Sequence, residues 1–436
     1  MTLPLLRNGI IDMARGHPST HLLATREMAK STASVYARLS QSMDHEDADR
    51  HPLQYGTDAG PLQVRQVFAS WLGDMYKNPL SIDPDLLAIT CGASTGLANT
   101  CLQMTDPVYT RRIFMITPAY FLAAKIFQDA GYQEKMCAVN EQTDGFDVTQ
   151  LKYILDGDAV LGDSWPSRPT LAGKRYKYLF YAVPTFSNPS GIVWSVAKRK
   201  ALLELARKYD ILIITDEVYD FLDYARTSVD TPPLPRIVDL DVESLHESPG
   251  TAQWGNTISN MSFSKYLGPG LRIGILQAAA KGLVNQWTSG GANHSGGMMA
   301  QHTSYYVAEL IETGEMTQVL ARLNEVYAER SRIMLATLAE EMPPGTRVFG
   351  GRGGYFIWVE LPESHTTHLT ATQILDVARG EGYDVSALSG AAFEVPFDER
   401  GWGKRWFRIS LSYLEQDVAR QGIKLLGQAI RDCQAP

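Results

Sequence analysis

Residues 177–220 read "KYLFYAVPTFSNPSGIVWSVAKRKALLELARKYDILIITDEVYD". Two short apolar runs without alternation, "KYLFYAV" (177–183) and "ILIIT" (211–215), have the pattern of strands buried on both faces. Between them "SVAKRKALLELARKY" (195–209) carries its apolar residues at helical spacing. Strand, helix, strand in this order implies a right-handed crossover and a parallel pair. Working outward, "LLAIT" (86–90) and "RIFMIT" (112–117) add strands on the N-terminal side. "TISNMSFS" (257–264) and "LRIGILQAA" (271–279) carry the sheet on. The reading is an α/β fold with a mostly parallel central sheet flanked by helices.

After about residue 300 the texture changes. A helical stretch through "QVLARLNEVYAERSRIMLATLAEEM" (318–342) stops at Pro343-Pro344, where proline cannot continue it. "GGYFIWVELP" (353–362), "RWFRISLSY" (405–413) and a last amphipathic helix (414–433) read as a smaller α/β domain. A chain of 436 residues is too long for one core, so two domains are expected. We place a large domain at 56–300 and a small one at 301–436, with segment 1–55 packing on the small domain.

The net charge of −8 speaks against nucleic acid or an acidic membrane as partner. No apolar run is long enough to span a bilayer, and the N-terminal twenty residues do not read as a secretory signal. Cys91, Cys101, Cys137 and Cys433 form no CxxC pair, which fits reduced thiols and a cytoplasmic location. The nine histidines show no HExxH-type pattern, and no metal site is expected.

Ligands of parallel sheets gather beyond the carboxyl ends of strands. Asp216 ends "ILIIT", with Tyr219 three residues on, and Asn188 follows "KYLFYAV". Taken singly, Asp216 is equally a helix cap and Asn188 an ordinary turn residue. In "ITCGASTGL" (89–97), small residues lead into a helix whose free N–H groups suit an anion, with Ser94 and Thr95 adding hydroxyls. In "SFSKYLGPGLRIG" (262–274), Lys265 lies among Ser262, Ser264 and Arg272. A phosphate on the serines and arginine would leave the lysine free for covalent work. The plain alternative is a solvated loop lysine beside a surface arginine. One cofactor uses all these pieces: pyridoxal phosphate needs a lysine for its aldehyde, an acid for its ring nitrogen and a cup for its phosphate.

The ordered set "LQYGTDAG", "GASTGL", "TPAY", "NPSG", "DEVY", "SFSK…GLRIG", "GGYFIW" and "FRISLSY" resembles class I/II aminotransferases of the fold-type I pyridoxal-phosphate family, nearest the kynurenine/2-aminoadipate aminotransferase-like group. The resemblance runs along nearly the whole chain. It implies transfer of an amino group between an L-amino acid and a 2-oxo acid. It implies Lys265 as the cofactor-anchoring lysine, Asp216 as the partner of the ring nitrogen, and Tyr120 as the aromatic residue on the ring. Asn188 and Tyr219 match the pair that binds the ring's phenolic oxygen. Ser262, Ser264, Arg272 and the Ala93, Ser94 and Thr95 backbone match the phosphate cup. Tyr55 matches a residue that reaches the phosphate from a neighbouring subunit, so a homodimer with shared sites is implied. Arg408, with Asn188 beside it, matches the clamp on the substrate α-carboxylate, and Gly16 a glycine in the loop over the substrate.

The phosphate loop departs from relatives that carry glutamine. Arg15 and Arg352 stand where relatives have an apolar residue and a proline, and are read as surface arginines or readers of a distal carboxylate. The same scaffold hosts lyases, substitution enzymes, oxidases and cyclases, so reaction type stays open at this point. A transcriptional regulator with such a domain needs more chain before "LQYGTDAG" than the fifty or so residues present. A cofactor-free binding protein would not need Lys265, Asp216 and Arg272 together.

Overall fold

The computed structural model describes residues 6, 7, 9–39, 51–160, 173–225, 232–247, 254–294, 300–380 and 382–434. Part of the N-terminal stretch read above for a signal lies outside them.

The main sheet has eight strands: β1 (Leu87–Thr90), β2 (Arg112–Thr117), β3 (Met136–Gln142), β4 (Gly145–Phe146), β5 (Tyr178–Ala182), β6 (Ile211–Asp216), β7 (Thr257–Ser262) and β8 (Gly274–Ala278). Their order is β1-β8-β7-β6-β5-β2-β3-β4. The run β7-β6-β5-β2-β3 is parallel, while β8 is antiparallel to both neighbours. Every residue of β5, β6 and β7 is buried, as expected of strands covered on both faces. The crossover helix read from residues 195–209 spans Val196–Tyr209; Ser195 caps its start by accepting from the Lys198 amide, and Asp210 ends it in the left-handed region.

Two readings shift. The strand read through residue 264 stops at Ser262, whose hydroxyl accepts from the Ser264 amide and turns the chain into a short 3₁₀ segment, Phe263–Lys265. The strand read from residue 271 starts at Gly274, because Arg272 adopts φ 49°. Lys265 and Arg272 therefore sit on the connection between β7 and β8.

A second sheet has four antiparallel strands, β9 (Arg347–Gly350), β10 (Phe356–Glu360), β11 (Leu388–Ser389) and β12 (Trp406–Ser410), in the order β9-β10-β12-β11. A helix of 27 residues, Glu315–Glu341, stops just before Pro343, and the last helix, Gln416–Asp432, packs along it. The N-terminal strand Ile10–Asp12 pairs with Val385–Ser386. Among the described residues no helix is long and apolar enough to cross a membrane, and no cluster of side chains could hold a metal ion.

Candidate active site

A cleft of about 280 Å³ lies where the carboxyl ends of the central strands meet the second sheet. Asp216, Lys265, Arg272 and Arg408 all line it, drawn from three segments distant in the chain.

Asp216, at the end of β6, is 6% exposed, with both oxygens held: one accepts from Tyr181 Oη at 2.6 Å, the other from Asn260 Nδ2 at 2.7 Å. Burial pushes its carboxyl up to about 6, with these hydrogen bonds working in the opposite direction. Neither Tyr181 nor Asn260 is among the site residues named from sequence. Asn260 left a signal, since a polar side chain inside the buried run "TISNMS" must find partners. The same amide donates to the Ala93 carbonyl at 2.9 Å, tying Asp216 to the start of the helix Ala93–Met104.

Lys265 Nζ donates to the Gly16 carbonyl at 2.9 Å, and Tyr355 Oη holds the lysine's own carbonyl at 2.8 Å. Burial, helped by the nearby positive Arg408, brings the amine down to about 8. An amine with its midpoint there is about one-fifth neutral near physiological pH, far more than an unshifted lysine, and the neutral form is the nucleophilic and basic one.

Across the cleft, Arg408 is 4% exposed on β12. One terminal nitrogen donates to Asn188 Oδ1 at 2.8 Å and the other to the Ala14 carbonyl at 2.7 Å. Its guanidinium lies 3.9 Å from the centre of the Phe356 ring. Its Nε has no hydrogen-bond partner, and among the described residues no carboxylate pairs with it. Burial lowers it to about 10, with Tyr219 and Tyr120 pulling the other way. A buried guanidinium without a counter-ion is costly, and a carboxylate ligand would relieve that cost. Gly16 lies against it: a Cβ there would come within 2.7 Å of the Phe356 ring.

At the other end, Ser262 and Ser264 hydroxyls are 2.8 Å apart and Arg272 reaches back to the Cys91 carbonyl at 3.1 Å. Gly92 has φ 90°, and a Cβ on it would meet Arg272 at 2.9 Å. This cradle abuts the free first-turn N–H groups of the helix that opens at Ala93. Ala93 and Ser94 line the cleft, whereas Thr95 is half-buried outside the lining. Tyr120, Asn188 and Tyr219 also line it. Burial raises the Tyr120 phenol to about 12, and Asp216 adds to the shift. Tyr55 is 74% exposed and does not line the cleft within this chain.

Arg15 and Arg352 are not drawn into the cleft. Arg15 lies 3.4 Å from Asp12 and donates to Tyr413 Oη at 3.2 Å. Arg352 is exposed.

The donor set fits pyridoxal phosphate. A cationic cradle at a helix start suits its phosphate, the one acid among the described lining residues suits its ring nitrogen, and a partly neutral amine suits its aldehyde.

The chain matches the family described as aminotransferase class I and II over residues 21–425. It is 38% identical to an uncharacterised protein of Saccharomyces cerevisiae, over 96% of each chain. It is 27% identical to aromatic-amino-acid aminotransferase 1 of Thermococcus litoralis, covering 97% of this chain and 88% of the relative. In fold it is similar to Pyrococcus horikoshii kynurenine aminotransferase, solved with PMP, with a TM-score of 0.78 at 24% identity and coverage of 98% and 92%.

Proposed function

This chain belongs to the class I and II aminotransferase family, and we propose that its catalytic machinery is the cleft built on Lys265, Asp216 and Arg408. The protein is a pyridoxal-phosphate-dependent enzyme that moves an amino group between an amino acid and a 2-oxo acid. The observation that carries the site assignment is Arg408, a buried cation with no counter-ion among the described residues, facing the same cleft as Lys265.

The bound cofactor supplies an aldehyde carbon that accepts the amino group and a ring that draws electrons from the substrate α-carbon. The chain's residues do the rest. Asp216, fixed by Tyr181 and Asn260, would pair with the ring nitrogen as a carboxylate. Ser262, Ser264, Arg272 and the backbone of Ala93 and Ser94 would hold the phosphate, with the Thr95 amide, outside the lining, next along the same helix start. Tyr120 would cover the ring, and Asn188 and Tyr219 would bind its phenolic oxygen. Arg408 takes the substrate α-carboxylate in a charge-assisted fork, which orients the α-carbon toward Lys265. Lys265 holds the cofactor through its amine and moves the proton at the α-carbon as general base. Gly16 keeps the N-terminal loop close over the substrate.

The described lining offers no cation for a second substrate carboxylate beyond Lys265, Arg272, Arg408 and His17. Phe121, Leu122 and Ile126 make much of the rest apolar. An amino acid with an apolar or aromatic side chain fits this best, in keeping with the name of the Thermococcus litoralis relative. The working unit is a homodimer in which exposed Tyr55 completes the neighbour's phosphate cup, and exposed Leu53 beside it supports a covered surface. The four free cysteines support a cytoplasmic setting.

A panel of amino acids and 2-oxo acids tests the reading. Amino transfer to the 2-oxo acid is expected, fastest with apolar or aromatic side chains. Release of ammonia, hydrogen peroxide or carbon dioxide as the main outcome would contradict it.

A further inference from the structure

A second cavity, of about 580 Å³, shares no lining residue with the catalytic cleft. It lies between the aromatic face of the second sheet and the β2–β3 side of the main sheet. Its floor is a row of rings. Phe349 on β9 is directly opposite Trp358 on β10, and Trp358 stacks on Trp406 with centroids 5.3 Å apart and planes 17° apart. Trp402 meets Trp358 edge-on at 6.4 Å. All four rings line the cavity. The facing wall is polar, made by Thr117, Asn140, Glu141 and Ser190.

Three observations mark a site rather than a packing gap. Thr117 is 6% exposed, yet its hydroxyl has no hydrogen-bond partner. Glu141 accepts from Ser190 Oγ at 2.9 Å, and burial pushes its carboxyl up to about 8, which favours its uncharged form near neutral pH; Asp147 is the other acid of the described lining. Two arginines, Arg347 and Arg400, are the cations of the lining. Arg400 forks onto Asp398 at 2.5 and 2.6 Å and bonds Asn140, so it links the C-terminal segment to β3. Arg347 is largely exposed and pairs with Glu360, which Arg405 also approaches at 3.3 Å. Trp358 is buried, but Trp402 and Trp406 are half-buried at the gap and would gain from covering by a flat ring, and planar guanidinium groups match a carboxylate.

We propose that this crevice is a second ligand site, for a small aromatic carboxylate whose ring covers the tryptophan row and whose acid group is read by Arg347 and Arg400. The site is tied to the catalytic cleft by position. Trp406 and Arg408 alternate on the same face of β12, as Trp358 and Phe356 do on β10. Ser190 is two residues from Asn188, which holds Arg408. A ligand in the crevice touches the far end of the surface that presents the substrate clamp.

The probe is indole-3-acetate, which has the ring and the acid but no amino or keto group to transfer. Binding to the holoenzyme is followed by equilibrium dialysis. One molecule per chain is expected to stay bound in Arg408→Leu, which removes the carboxylate clamp of the catalytic cleft. Affinity should fall about tenfold or more in Trp402→Ala and in Arg347→Ala. Arg347→Ala alters an exposed side chain, so its fold and its transamination should be unchanged. The neutral amide of the probe should bind the unaltered protein about tenfold more weakly or worse. Loss of binding in Arg408→Leu with retention in both crevice variants would place the acid in the catalytic cleft and overturn the proposal. Absence of binding at millimolar probe would overturn it as well.

Discussion

Lys265 and Asp216 each hold a protonation state that the folded chain has shifted, and each shift gives a pH signature. Burial lowers the Lys265 amine from 10.5 to about 8. The neutral, reactive form therefore gains with rising pH through a midpoint near 8. Capture of pyridoxal phosphate by cofactor-free protein, measured by stopped-flow absorbance, should speed up with pH and level off above that midpoint. A rate still climbing toward pH 10 would show an unshifted lysine. For Asp216 the sign is opposite. Its carboxyl is raised from 3.8 to about 6, so between these values the folded chain holds more protons than the unfolded one. Stability of the cofactor-free protein should thus fall as pH rises through that window, by on the order of 3 kcal/mol in all. Asp216→Asn should remove this fall, as read by denaturant titration at a series of pH values. At Arg408, replacement by Ala should raise KM for the amino acid roughly a hundredfold while the protein keeps its cofactor colour. An unchanged KM would contradict a carboxylate clamp. At this scale Asp216 could be singled out by its place at a strand end and Lys265 and Arg272 by the serines around them, whereas Arg408 was reached only through the resemblance. Tyr181 was not legible, since a tyrosine in "KYLFYAV" reads as one more apolar strand residue until its hydroxyl is seen on Asp216.

The strand ends and one helix start position the site. Continuous apolar runs made β2, β5 and β6 readable in the chain, because strands covered on both faces have no polar alternation to confuse the pattern. β3 was not singled out: Asn140, Glu141 and Gln142 interrupt it where it faces the crevice rather than the core. The β7–β8 connection was read as strand over its ends, since its apolar composition hides the turn made by the Ser262 cap and the left-handed Arg272. The helix beginning at Ala93 depends on Gly92, which combines φ 90° with a contact to Arg272 that leaves no room for a Cβ. Gly92→Ala should therefore strain the backbone and displace the arginine. We expect weaker retention of pyridoxal phosphate by about tenfold or more, measured by dialysis, with kcat largely recovered at saturating cofactor. Retention equal to the unaltered protein would remove the helix start from the cradle.

The cleft exists only because the whole chain folds back on itself. Gly16, Ser94, Asn188, Asp216, Lys265 and Arg408 span nearly the full length and meet within one cavity. The proposed division into a large domain, 56–300, and a small domain, 301–436, puts Arg408 on one body and Lys265 on the other, so their approach would depend on how the two close. The proposed homodimer goes one step further, since Tyr55 is exposed within a single chain. Mixing Lys265→Ala with Tyr55→Phe subunits should yield hybrids in which the site that keeps Lys265 takes Tyr55 from the other chain and regains normal cofactor affinity. A defect that such hybrids cannot repair would contradict the shared site. The account rests most heavily on Lys265 being the point where the cofactor joins the chain. Borohydride reduction of the purified yellow protein, followed by peptide mapping, tests this most directly. The account predicts the pyridoxyl group on the peptide carrying Lys265, with the visible band lost; a pyridoxyl group on any other lysine would contradict it.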